Sequence, residues 1–98
     1  MIPSVEQFKI RISTRDAYGK VIEVNENIYG GVIEREDRFI AVDGLLNVFG
    51  RGTVFSSELR GFVEAGQQIL IDDTEYSIRR CSHHHEWGEY HHTEIVYG

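Results

Sequence analysis

Apolar and polar residues alternate through Phe8, Ile10 and Ile12, with Gln7, Lys9, Arg11 and Ser13 between them. A period of two buries one face of an extended chain and wets the other. The same kind of segment recurs along the chain between closely spaced turn signals. Residues 14–20 form a polar connection containing Gly19. Residues 21–24 are apolar and β-branched, and Asn25-Glu26-Asn27 punctuates them. Residues 28–35 predict a further strand, in which Gly30-Gly31 marks a bulge, a sharp bend or a close backbone approach. Glu36-Asp37 predicts a tight turn into a strand over 38–42. Asp43-Gly44 is a strong turn dipeptide before a strand over 45–49. Gly50-Arg51-Gly52 reads as a hairpin turn into Thr53-Val54-Phe55. Residues 69–71 and 75–81 predict a hairpin about Asp72-Asp73-Thr74, with Tyr76 and Ile78 on its inward face. A His-rich connection over 82–90 then leads to a last strand over 91–97.

One stretch departs from this rhythm. Residues 56–65 carry Ser caps, Leu59, Phe62 and Val63 at helical spacing, and then Gly66 as a stop. They predict a short helix or a structured loop near 57–65. The expected fold is therefore all-β: one domain over residues 1–98, a small closed or partly open barrel or sandwich of six to eight short antiparallel strands.

Composition narrows the function. The 98 residues hold 16 Asp and Glu against 10 Lys and Arg, a formal charge of −6. Acids and bases interleave, as in Glu34-Arg35-Glu36-Asp37-Arg38, so the basic footprint of a nucleic-acid binder is missing. No apolar run reaches the roughly 20 residues of a membrane helix. The one cysteine, Cys81, allows no disulfide within the chain. With no basic-then-apolar leader at Met1-Ile2-Pro3-Ser4, the expectation is synthesis in a reducing cytoplasm.

All five histidines lie between His83 and His92, with Cys81, Glu86, Glu89 and Glu94 close by. Imidazole and thiolate suit zinc and similar ions. In extended chain His83 and His85 share a face, as do His92 and Glu94, so His83, His85 and His92 are the weak candidates for a metal site. The spacing His83-x-His85-x-x-x-Glu89 is similar to the first cupin motif, but Ser77 and Val96 stand where that motif has glycines. The plainer reading is a solvated loop between two strands, with no metal or other cofactor. A third reading is a subunit contact, which Trp87 and Tyr90 in the same segment favour, since aromatic residues concentrate at interface hot spots. Those two rings could equally fold back on the barrel.

Catalytic constellations are poor. A dyad of Cys81 with an adjacent His would place the two on opposite faces of a strand. Ser56-Ser57 lacks the setting of a nucleophile elbow. Glu34, Glu36, Asp37, Asp72 and Asp73 read as solvated turn carboxylates. Gly50-Arg51-Gly52 precedes a strand and offers no helix N-terminus to a phosphate.

The order of short phrases carries a family resemblance over about residues 20–97. Gly31-Val32-Ile33-Glu34 is followed by Val42-Asp43-Gly44, Gly52-Thr53-Val54-Phe55, Ala65-Gly66-Gln67-Gln68-Ile69, Asp73-Thr74-Glu75-Tyr76-Ser77-Ile78 and His91-His92-Thr93-Glu94-Ile95-Val96-Tyr97. This succession resembles the minor-capsid and head-closure (head–tail joining) proteins of tailed bacteriophages. Gln67-Gln68 departs from the acidic residue usual after that glycine, and the triple histidine is not a family feature.

The resemblance implies a non-enzymatic virion subunit, made in the bacterial host cytoplasm. It implies a homo-oligomeric ring between portal and tail, with portal, adaptor and tail proteins as partners and no sequence-specific nucleic-acid or membrane contact. Contacts in such a ring come from loops, here 14–20, 56–65 and 83–90. On them Tyr18, Leu59, Phe62, His84, Trp87 and Tyr90 are the candidate contact residues. The alternatives are a small β-barrel metal protein or metal-dependent enzyme using the His83–His92 cluster, and a generic partner-binding adaptor.

Overall fold

The computed structural model describes residues 5–60 and 63–98. Among them are eight strands and no helix: β1 Glu6–Arg15, β2 Val21–Glu34, β3 Arg38–Val42, β4 Leu45–Gly50, β5 Gly52–Ser56, β6 Gln68–Ile71, β7 Thr74–Glu86 and β8 Glu89–Tyr97. Six of them close into an antiparallel barrel in the order β1-β2-β5-β8-β7-β6, while β3 and β4 form a separate two-stranded ribbon. The all-β class is the one the alternation predicts, and of the barrel and sandwich it leaves open the chain forms the closed barrel. Phe8 and Ile10 point inward, as the period of two requires, and join Ile33, Val54, Ile69, Ile71, Ile78, Ile95 and Tyr97 in the core.

The barrel closes where Lys9, Ile10 and Arg11 pair with Leu70, Ile69 and Gln68. Arginines brace this region from outside. Arg11 bridges Glu26 on β2 and Glu75 on β7, and Arg35 bridges Glu6 on β1 and Asp72 in the β6–β7 turn. The Arg35–Glu6 contact is bidentate, with both hydrogen bonds at 2.8 Å. The guanidinium hydrogen bonds hold the Glu6 carboxyl below its usual range.

Three local expectations are corrected. Asn25-Glu26-Asn27 does not interrupt β2. The strand runs through, pairing these residues with Ile12, Arg11 and Ile10. Their polar side chains face water on a long ribbon, where ladder pairing outweighs weak strand propensity. Gly50-Arg51-Gly52 is not a hairpin turn, because β4 pairs only with β3 while β5 lies between β2 and β8. The glycines let the chain leave the ribbon and press against the barrel. A Cβ on Gly50 would meet Val96 Cγ1 at 2.5 Å, and one on Gly52 would overlap the Glu34 carbonyl and the Tyr97 hydroxyl. The His-rich segment is not a loop either: Ser82 to Glu86 belong to β7, Glu89 and Tyr90 to β8, and only Trp87-Gly88 turns.

The segment between β5 and β6 takes the structured-loop alternative, with no helix among its described residues. Topology explains it. β8 and β7 stand between β5 and β6 in the barrel, so the connection must cross an open end. Leu59 and Val63, which looked like one helical face, are instead apolar anchors buried in the core at 0% and 1% exposure.

At Gly30-Gly31 the structure shows a close approach and no bulge, since the β1–β2 register is unbroken there. A Cβ on Gly31 would meet the Phe55 carbonyl oxygen at 2.5 Å and the Phe8 ring at 3.1 Å. Gly31→Ala is expected to destabilise the fold by about 1–3 kcal/mol through this overlap, seen as a lower midpoint in urea unfolding.

Candidate interaction surface

Strand parity separates the histidine cluster into two faces. Cys81, His83 and His85 point to the loop-closed end of the barrel, opposite Ile95, Thr93 and Tyr90 of β8. Ser82 and His84 point outward, opposite Glu94 and His92. The ladder slips between His84 and His85, which leaves His91 as an extra residue in β8.

The inner group is a polar clasp on the crossing loop. The Thr93 hydroxyl, fully buried, donates to the Leu59 carbonyl at 2.6 Å. With the Thr93 proton so placed, the one proton of the Tyr90 hydroxyl serves Thr93 Oγ1 at 2.7 Å or the Ser56 carbonyl at 3.2 Å. His83 stands between Thr93 Oγ1, 2.7 Å from Nδ1, and the Val63 carbonyl, 3.1 Å from Nε2. A neutral imidazole has one N–H and serves one of these acceptors at a time. Cys81 also donates to the Val63 carbonyl, at 3.3 Å. Loop backbone that crosses a core must find such partners, because an unpaired buried carbonyl is costly.

Cys81 and His83 do lie on one face, with Sγ and Nε2 3.6 Å apart. Burial, and then the nearby Glu64 charge, push the Cys81 thiol above its ordinary value. That is the reverse of what activates a nucleophile. Thr93→Val is expected to cost about 1–3 kcal/mol, because it strips the Leu59 carbonyl of its donor. Amide exchange should rise in residues 57–60.

The outer group is a stack. The His84 and His92 rings lie 4.6 Å apart and nearly parallel, at 11°. Glu94 is 3.6 Å from His84, and Glu86 is 3.7 Å from His91. His91 Nδ1 and His92 Nδ1 are 2.7 Å apart, so one must donate and the other accept. Desolvation first, then the neighbouring His84 and His91, hold His92 below its ordinary value of 6.5. The unfolded chain therefore takes up this proton more readily than the folded one. Stability is expected to fall as pH drops through 6.5 towards the lower folded value, and the fall should shrink in His92→Gln. Thermal unfolding followed from pH 8 to pH 5 measures both.

The metal candidates do not meet. His83 is engaged in the clasp, His92 faces outward on His84, and His85 packs edge-on against Tyr90 at 6.0 Å. Among the described residues no three His, Cys, Asp or Glu side chains are grouped to hold a metal ion. A surface hollow of about 190 Å³ beside Phe8, Ile28 and Leu70 is smaller than the roughly 300–1,000 Å³ of ordinary ligand sites.

The candidate contact residues divide. Tyr18 projects from the β1–β2 turn at 96% exposure, and Trp87 from the β7–β8 turn at 97%. His84 is on the outer face. Leu59 is corrected: its side chain is wholly in the core, where the crossing loop anchors it, and it presents nothing to a partner. Tyr90 is half-buried and turned back on the barrel by its two hydroxyl contacts. Phe62 lies outside the described residues.

A larger surface went unmarked in the sequence. Phe39, Ile40, Val42, Leu45, Leu46 and Val48 of the β3–β4 ribbon are all exposed, Leu46 by 75%. Cross-strand pairing sets Phe39 beside Val48 and Ala41 beside Leu46 on one face, and Val42 beside Leu45 on the other. Both faces are apolar. The available signal was the lack of alternation in Phe39-Ile40-Ala41-Val42 and Leu45-Leu46, which is typical of strands covered on both sides. Ile22, Val24 and Ile28 add a second exposed stripe on β2. Comparison with known proteins finds no matching family model and no matching curated protein.

Proposed function

We propose that this chain is a structural assembly subunit with no catalytic role, and specifically a head-closure or connector subunit of a tailed-phage virion. In that reading it joins a ring between portal and tail. The phage assignment rests on the sequence resemblance over about residues 20–97. The assembly reading is supported by one observation above the rest, the state of Trp87.

Trp87 adopts a positive φ of 54° in a two-residue turn with Gly88 at 79°. Such turns favour Asn-Gly, and a bulky side chain in the left-handed region costs roughly 1–2 kcal/mol. The ring is also 97% exposed, so burial within the subunit offsets nothing. A large aromatic in a strained turn conformation, with no burial inside the subunit to offset it, is accounted for by contact with something outside the subunit. The apolar ribbon supports the same reading, because monomeric proteins rarely leave so much contiguous apolar surface in water.

Trp87→Asn is expected to raise the unfolding free energy by up to about 1 kcal/mol, since Asn suits the turn. The same variant should lose co-sedimentation with portal rings encoded beside it. Full co-sedimentation by Trp87→Asn would refute a contact role for this residue. A gene neighbourhood without portal, terminase or tail genes would refute the phage assignment.

A further inference from the structure

We infer that the β3–β4 ribbon of one copy docks on the open edge of β2 in a second copy, so that subunits join head to tail. The inference rests on the assembly reading and adds which surfaces meet.

The ribbon is an incomplete structure. A lone two-stranded ribbon is marginal in water, and this one carries apolar side chains on both faces. Its six exposed large residues present on the order of 600–700 Å² of surface divided between the two faces, against the roughly 800 Å² each partner gives to a stable interface. The stretch from Phe39 to Phe49 contains a single charged residue, Asp43. On β2 the edge carries Glu23 and Glu26, the latter already paired with Arg11, so the ribbon brings only Asp43, at its turn, towards charges of its own sign.

The matching surface lies on the same chain. β2 pairs with β1 along its length, but with β5 only at Val32, Ile33 and Glu34. From Val21 to Ile28 no strand stands on its other side among the described residues. Further along, that side is capped. The Glu58 carboxylate accepts from Gly30 N–H at 2.9 Å, and the Ser56 hydroxyl donates to the Gly30 carbonyl at 2.7 Å. The open part is long enough to take the 5-residue β3 or the 6-residue β4. Val24 and Ile28, 51% and 59% exposed, share one face of it with Glu26 between them, and Ile22, 62% exposed, stands at the register shift near its start. An open edge beside apolar side chains is a template for strand addition. Because ribbon and edge are different patches, their contact is heterologous, and repeating it gives a ring or an open chain of subunits.

The test uses the full chain and two variants. Leu46→Glu charges the ribbon, and Ile22→Lys with Val24→Lys charges the edge. All three positions are exposed, so both variants should keep the wild-type far-UV circular dichroism and melting behaviour. By sedimentation velocity the wild type should associate beyond dimers as concentration rises, and each variant should lose about tenfold or more in association. An equimolar mixture of the two should form a two-chain complex and nothing larger, since only one intact ribbon and one intact edge can meet. Wild type that stays single-chain at every soluble concentration would overturn the proposal, as would a mixture that stays single-chain. Unimpaired association of the edge variant would overturn it in favour of ribbon-on-ribbon pairing. Wild type that is single-chain yet still co-sediments with portal rings would remove this contact and leave the assembly reading standing.

Discussion

The short ladder between β1 and β6 is the constraint on which the rest of the molecule depends. Three residue pairs close the sheet, and closure removes the outermost edges that an open sheet would expose. It also dictates the awkward connection. With β8 and β7 between β5 and β6, the connection must cross the end of the barrel, and it brings the Leu59 and Val63 carbonyls to partners there. Leu59 and Val63 make that crossing favourable by filling the core. Thr93, His83, Tyr90 and Cys81 make it tolerable by meeting the carbonyls of Leu59, Val63 and Ser56. His83, one of the three weak candidates for a metal site, is thus engaged in holding a loop.

The interior and exterior of the molecule follow different rules. Inside, apolar groups are covered, and no buried side-chain polar atom among the described residues lacks a partner. Outside, large apolar residues on β2, β3 and β4 lie in water, and the turns at Tyr18 and Trp87 add aromatic tips. Barrel stability explains none of these. Their hydration is unfavourable, and Trp87 adds backbone strain.

The strands were legible because local rules and global packing agree. Phe8 and Ile10 alternate with polar neighbours and line the core. Asp43-Gly44 and Asp72-Asp73 turn where their dipeptides suggest, with positive φ at each. The His-rich segment misled because polar composition resembles a loop, whereas cross-strand pairing with β8 holds it extended. The 57–65 segment left a short helix and a structured loop both open because Leu59 and Val63 are four residues apart, which is one turn of a helix and also the spacing of two anchors on a crossing loop. Thr93, the centre of the clasp, could have been placed by counting back from Ile95 along the inward face.

By itself the sequence determined the all-β class, most strand positions and the absence of a basic footprint, because alternation, turn dipeptides and charge are local properties. Tertiary structure decided which apolar residues are covered. Leu59 and Leu46 look alike in the sequence, yet one is buried and the other stands in water. The difference lies in which strands the barrel admits, and strand order is a long-range property that no short window contains. The same holds for the histidines, whose two faces and two environments appear only once β7 is set against β8.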